Sequence, residues 1–448
     1  MATIASTSTG HGPRNHVPIF RTLALFGVVI ILAGMLGLVF LDRPARDSVI
    51  GSSVADTPPA ATAVAFFSDR VASNPDSFVD LVRLGEAYLR RAQETSDASA
   101  YARAGEAAER ALALNPDYPA GHLLLASSQL ALHEFQAALV TASPLTESRN
   151  AAHALAIVFD AQLALGDYAA AETSLARLQS LSSGPSIEVR AAGLAELRGD
   201  VDAALKLAEG AFIGAQQLGL SSASLAWFAV SSAELHLRYG RLERAEERFS
   251  EALALVPEHA PALAGSGRTA LAKGDVEDAV EWLSIAAEIA PQPEFLIALA
   301  EAARLAGDAP TEARAVAQLD ALVTLTVDSD GLSNRALALY LVDRKGDLDL
   351  ALQLAEREAG ARSDVYTFDT LASVLLARGD LDDAAAASKR ALALGGRDPL
   401  LLYHAALVRV ALSDEVEARQ LLEQALELNP TFHPVHAPTA LELLAQLT

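Results

Sequence analysis

Apolar residues along this chain recur at helical spacing, and the recurrence itself repeats. Between Leu225 and Pro291 one pattern of apolar, polar and turn positions is written twice, 34 residues apart. Gly240 recurs as Gly274, Ala245 as Ala279, Phe249 as Leu283, Ala252 as Ala286 and Pro257 as Pro291. Each copy predicts a helix, a tight turn at the glycine, a second helix and a proline that ends it. A fixed period of this length with such punctuation marks an array of helical hairpins. Val, Ile and Thr occur singly, not in alternating runs, so no sheet is predicted.

Most of the chain falls into the same register. Residues 63–76 predict the second helix of a half repeat, with Phe67 and Val71 on one face and Asn74-Pro75 closing it. A first helix follows at 80–91 through Leu81, Leu84, Gly85 and Tyr88, then a second at 101–114, with an inserted loop near 93–99. The turn signal then returns at His133, Gly166, Gly199, Gly240, Gly274, Gly307, Gly346, Gly379 and Ser413, mostly followed by Asp. Glycine accepts the left-handed conformation that ends one helix, and Asp caps the next. Longer spacings before Gly240 and Gly346 predict longer helices near 213–222 and 323–330.

Five residues beyond the turn stands an alanine: Ala138, Ala171, Ala204, Ala245, Ala279, Ala351, Ala384 and Ala418. A small side chain there lets the two helices of a hairpin approach closely. The unit at Gly307 carries Glu312 instead and is expected to be distorted. Repeats thus span 63–430, about nine to ten units with the first a half, and 431–448 is expected to form a closing helix with Leu441, Leu444 and Leu447 on its buried face.

The amino terminus breaks the pattern. Residues 1–21 are polar, and 22–41 are twenty residues without a charge. A helix of that length spans about 30 Å, the thickness of a bilayer's hydrocarbon. The competing reading, a cleaved signal peptide, has a shorter apolar stretch of roughly 7–15 residues. A single membrane-spanning helix is therefore expected, with 42–62 as a flexible linker. Arg14 and Arg21 before the span balance Arg43 and Arg46 after it, so basic residues do not choose the orientation. A short N-terminus ahead of a long domain favours the tail in the cytoplasm and the repeats on the extracytoplasmic side of the cell membrane.

Composition adds exclusions. The 448 residues are 51% hydrophobic but only 5% aromatic, suited to many short-range contacts between small side chains. A net charge of −23 without clustered Lys or Arg argues against nucleic acid and anionic lipid as partners. The chain has no cysteine, so disulfides, thiolate nucleophiles and Cys-ligated metals are excluded.

The pattern resembles the tetratricopeptide repeat family, chiefly in Leu81–Leu89 (LVRLGEAYL), the Gly-Asp turns and Glu247–Pro257 (ERFSEALALVP). Its Leu-Gly pair is intact only at Leu84-Gly85. The resemblance implies an all-α, right-handed superhelical solenoid, whose inner face is lined by the first helix of each repeat and binds peptides or partner helices. The comparable positions here include Val82, Glu86, Leu123, Ser127, Ala156, Asp160, Val189, Val230, Glu234, Ala264, Arg268, Ile297, Glu301, Ala336, Tyr340, Asp369, Ser373 and Tyr403. They do not reproduce the family's Lys-Asn-Arg carboxylate clamp. An apolar groove with scattered acids implies a protein or peptide partner presenting an apolar or weakly basic segment. Trp227, Tyr340, Tyr366 and Tyr403 are the aromatic anchor candidates.

No catalytic set emerges. His433 and His436 could share a metal but have no third ligand nearby, and a surface loop explains them. Gly265-Ser266-Gly267 falls inside a first helix, so it is no phosphate loop. Asp328–Gly331 lacks the closing glutamate of a calcium loop, since Leu337 stands there. No cofactor, metal or enzymatic activity is expected. The leading expectation is a membrane-anchored interaction scaffold for assembly or maturation of a membrane or exported complex. A sensor of a small molecule or secreted peptide, and an enzyme's regulatory arm, are the alternatives.

Overall fold

The computed structural model describes residues 59–95, 97, 99–328 and 335–447. Among them are α-helices and a short 3-10 segment at Ser143–Glu147, and no strand. The predicted span 22–41 lies outside the described residues, as does most of the linker. Among the described residues no helix is long and apolar enough to cross a membrane.

Helix α1 (Ala60–Ser73) opens the array, three residues earlier than the sequence pattern places it, directly behind Pro59. Hairpins follow as α2 (Phe78–Thr95) with α3 (Ser99–Leu114), α4 (Pro119–Ala131) with α5 (Phe135–Ala142), and α6 (Ala151–Ala164) with α7 (Tyr168–Leu181). Next come α8 (Pro185–Leu197) with α9 (Val201–Gln217), α10 (Ser222–Arg238) with α11 (Leu242–Leu255), and α12 (Ala260–Lys273) with α13 (Val276–Ile289). Then stand α14 (Pro293–Ala306) with α15 (Ala309–Asp328), α16 (Arg335–Asp343) with α17 (Leu348–Ala361), and α18 (Val365–Arg378) with α19 (Leu381–Ala391). The array ends in α20 (Pro399–Ala411) with α21 (Glu415–Leu428), and α22 (His436–Gln446). Helices α9 and α15, at 17 and 20 residues, absorb the two long spacings.

One backbone device makes the hairpin turns from α4–α5 through α20–α21. A residue two or three places past the helix end donates its N–H back to the carbonyl five residues earlier, as from Asp167 to Gln162 at 2.9 Å and from Asp275 to Ala270 at 2.9 Å. The residue between sits in the left-handed region, φ 74° at Gly166 and 91° at Gly274. His133 and Ser413 adopt that conformation without being glycine, at φ 61° and 60°. At the Gly346 turn the left-handed residue is Lys345, and Gly346 donates to Leu341, so this turn is one residue longer before Asp347 caps α17. Asp167, Asp200, Asp308 and Asp414 cap the following helix as expected. Asp275 and Asp380 make no such bond. The Asp380 carboxylate instead takes the Arg378 Nε–H at 3.0 Å.

The eight turn-spaced alanines are all fully buried. In the exceptional unit the buried face comes one residue earlier, through Thr311, Ala315 and Leu319. Close approach also explains the helical glycines. A Cβ on Gly85 would lie 2.4 Å from the Leu124 side chain, and one on Gly265 only 2.1 Å from the Phe249 ring. The closing helix buries Ala437 and Ala440 and packs Leu444 and Leu447 against Tyr403 and its neighbours. Leu441, predicted for that face, is instead exposed.

The feature absent from the sequence reading is a seam. The ribbon of hairpins has two edges, one made of turns within hairpins and the other of loops between them. The coil brings one edge onto the other. Ser363 donates its N–H to the Ala164 carbonyl at 2.9 Å, and Val365 donates to the Tyr168 hydroxyl oxygen at 2.9 Å. A Cβ on Gly166 would stand 2.4 Å from the Ser363 carbonyl oxygen, and one on Gly199 2.3 Å from that of Gly395. The Asn429 amide reaches the end of α10, where Arg238 also pairs with Asp398 at 3.3 Å. The expected open curved surface is therefore a closed coil over this stretch.

Candidate functional site: the chamber inside the coil

Six consecutive first helices, α10, α12, α14, α16, α18 and α20, go once around a cavity of about 560 Å³. The ring closes where Arg238 of α10 meets Asp398 at the head of α20. One side is covered by the loop between α21 and α22, whose Phe432 and His433 line the cavity together with His436 at the start of α22. That loop reaches across to α14, where His433 Nε2 lies 3.7 Å from Glu301.

The wall is aromatic and acidic. Tyr340, Tyr366, Tyr403 and Phe432 line it beside Ile297 and Leu407. Six carboxylates face three guanidiniums: Glu234, Glu294, Glu301, Asp343, Asp369 and Asp398 against Arg238, Arg268 and Arg335. Each arginine is held by a carboxylate already: Arg268 by Glu234, Arg238 by Glu196 and Asp398, Arg335 by Asp364 at 3.2 Å. The surplus charge is negative.

That surplus perturbs its members. Burial, reinforced by the neighbouring Asp343 charge, pushes the Glu301 carboxyl up to about 7. Burial raises Asp343 as well. His404 is raised despite burial, because it bonds Asp369 at 2.9 Å. Burial depresses both His433 and His436, His436 to about 4, with the neighbouring His404 adding to each and His436 adding to His433. They stack at 4.2 Å between ring centroids, and Tyr403 stacks on His436 at 5.1 Å. These histidines are therefore half-buried parts of the chamber wall, not a surface loop. Among the described residues no group of three or more His, Cys, Asp or Glu is placed to hold a metal ion.

Of the predicted groove residues, Glu234, Arg268, Ile297, Glu301, Ala336, Tyr340, Tyr366, Asp369, Ser373 and Tyr403 meet in this chamber. The others do not. Val82, Leu123 and Val230 are buried in the inter-helix core. Glu86 is half-buried and paired with Arg83 at 2.9 Å. Asp160 is sealed in a two-pronged bond with Arg190, at 3.0 and 2.7 Å, which ties α6 to α8. Trp227 packs edge-on to Phe228 in a core cluster. Even within the chamber, Tyr340 spends its hydroxyl on Asp320 at 2.8 Å.

Sequence reasoning missed Arg238, Arg335, Asp343, Asp398 and Phe432. Asp398 and Phe432 sit in loops between hairpins, which enter the wall only because the coil closes. The pair spacing of His433 and His436 was the one visible signal.

The architecture is a helical-repeat solenoid. Within it, residues 236–302 and 370–431 each match a tetratricopeptide repeat family model. No curated protein matches the chain. Similar solved structures include the APC/C hetero-tetramer Cut9–Hcn1, with 14% identity, 87% of this chain and 93% of that chain covered, and a TM-score of 0.33. Yeast Tom70 is 16% identical over 86% of this chain and 92% of that one, with a TM-score of 0.33. The P58(IPK) TPR domain is 16% identical over 86% and 94%, with a TM-score of 0.30.

Proposed function

We propose that this protein is an interaction scaffold whose chamber takes an apolar segment bearing a basic side chain. The observation that carries this reading is the wall itself: aromatic faces beside six carboxylates that outnumber the three arginines, each of which is already paired with a carboxylate. A cation on an apolar stem gains from both kinds of surface. The uncharged span 22–41 would tether the scaffold to the cell membrane, with the repeats on the extracytoplasmic side holding a client during assembly or maturation of a membrane or exported complex.

Selection from a displayed library of random eight-residue peptides tests this. Binders are expected to carry Lys or Arg among Leu, Ile or Phe, and to be lost with the Glu301→Gln/Asp343→Asn double variant. Enrichment of acidic peptides, or binding indifferent to that variant, sinks the reading. The cavity volume favours a second reading, since about 560 Å³ falls within the ~300–1,000 Å³ of small-molecule sites. A thermal-shift panel of hydrophobic amines separates the two.

A further inference from the structure

We infer that the seam is a clasp, which shuts the ring around the chamber and parts to admit the segment. This rests on the peptide-binding reading above and adds its regulation. Three observations carry it.

The clasp and the chamber share residues. Arg238 and Asp398 face the cavity while pairing with each other at the point of closure, and Thr431, which lines the cavity, is held by Asn429. A ligand that engages either charge competes directly with closure.

The seam is built mainly from polar and backbone bonds: Ser363 to Ala164, Val365 to Tyr168, Asn429 to Leu237 and Arg238. Its apolar contribution includes Leu428 against the Ala192–Tyr239 cluster. Water can replace such bonds when the edges part, whereas the cores inside and between hairpins are continuous and apolar. In a solenoid, small rotations at each repeat add up, so parting the edges needs no single hinge.

The glycines on the seam have a dual constraint. Gly199 and Gly379 occupy the same left-handed turn position, at φ 76° and 87°. Only Gly199 faces the opposite edge, with Gly395 at 2.3 Å from its notional Cβ; Gly379 has nothing within 4 Å. The pair separates local turn strain from closure.

The cysteine-free full chain allows clean double spin labelling. Asp202→Cys and Ala393→Cys place labels at exposed sites on opposite edges. Pulsed dipolar spectroscopy is expected to read one short distance in this parent. A second, longer population should appear with Asn429→Ala and with Gly199→Ala, and not with Gly379→Ala. Adding the peptide Leu-Arg-Leu-Leu-Arg-Leu should move the parent toward the longer population. Circular dichroism confirms that each variant remains folded. Unchanged distances in both seam variants overturn the clasp, as does peptide binding that leaves the parent distance fixed. Absence of peptide binding, with longer distances in the seam variants, would overturn the binding reading and leave the clasp standing.

Discussion

Asn429 donates both hydrogens of its side-chain amide to the carbonyls of Leu237 and Arg238, at 3.1 and 3.0 Å, across more than 190 residues of sequence. Its Oδ1 accepts from the Thr431 N–H and hydroxyl. Every polar capacity of this buried amide is used, and Gly240 leaves room for it.

Asn429→Ala is expected to lower stability by about 1–3 kcal/mol, the cost of stranding buried carbonyls. Asn429→Asp should cost more, since a carboxylate facing two carbonyl oxygens donates to neither. Urea titration of the two variants checks the order; equal stability would contradict the bond assignment.

Glycine to alanine should change sign with position. At Gly360, where a Cβ meets nothing within 4 Å, the swap should stabilise by about 0.5–1 kcal/mol through helix propensity. At Gly265 the same swap drives a Cβ into Phe249, and overpacking of about 1–3 kcal/mol should outweigh that gain. Thermal melts of both variants decide it.

Asp160→Ala leaves the Arg190 guanidinium buried without its partner, 1% exposed at the side chain. The expected loss is about 3–5 kcal/mol, and the double variant Asp160→Leu/Arg190→Met should recover most of it. Peptide binding in the chamber should be unchanged, since neither residue lines it. A binding defect in a folded double variant would contradict that placement.

Glu301 sets a pH dependence. Its folded value, about 7, lies above its ordinary 4.5, so the folded chain holds an extra proton between the two. Stability contributed by that proton is present at low pH and falls as pH rises through this window. Glu301→Gln should flatten the slope between pH 5 and 8. Affinity for a cationic peptide should run the opposite way in the parent chain, rising as Glu301 ionises. Paired melts and fluorescence anisotropy across that range read both.

The turns were legible because a left-handed residue followed by a capping acid is a local requirement, met within five residues of chain. The exception is instructive: glycine stands at 346, yet Lys345 takes the left-handed position. Nothing local distinguishes a Gly-Asp turn from one with a residue inserted ahead of it. The groove was half legible. Inner-face positions from Glu234 onward, Ala264 excepted, converge on the chamber, whereas Val82, Leu123 and Asp160 follow the same register and are buried between neighbouring helices. Periodicity states which face a residue takes, not how tightly the next helix covers it.

Sequence alone therefore determined the hairpins, their turns, the alanines at their crossings and the all-helical array, since each depends on residues within one or two repeats. The radius of the coil was decided only in three dimensions. It sums small rotations over six repeats, and its outcome is that Asn429 meets Arg238, the edges join, and an inner face becomes an acidic chamber.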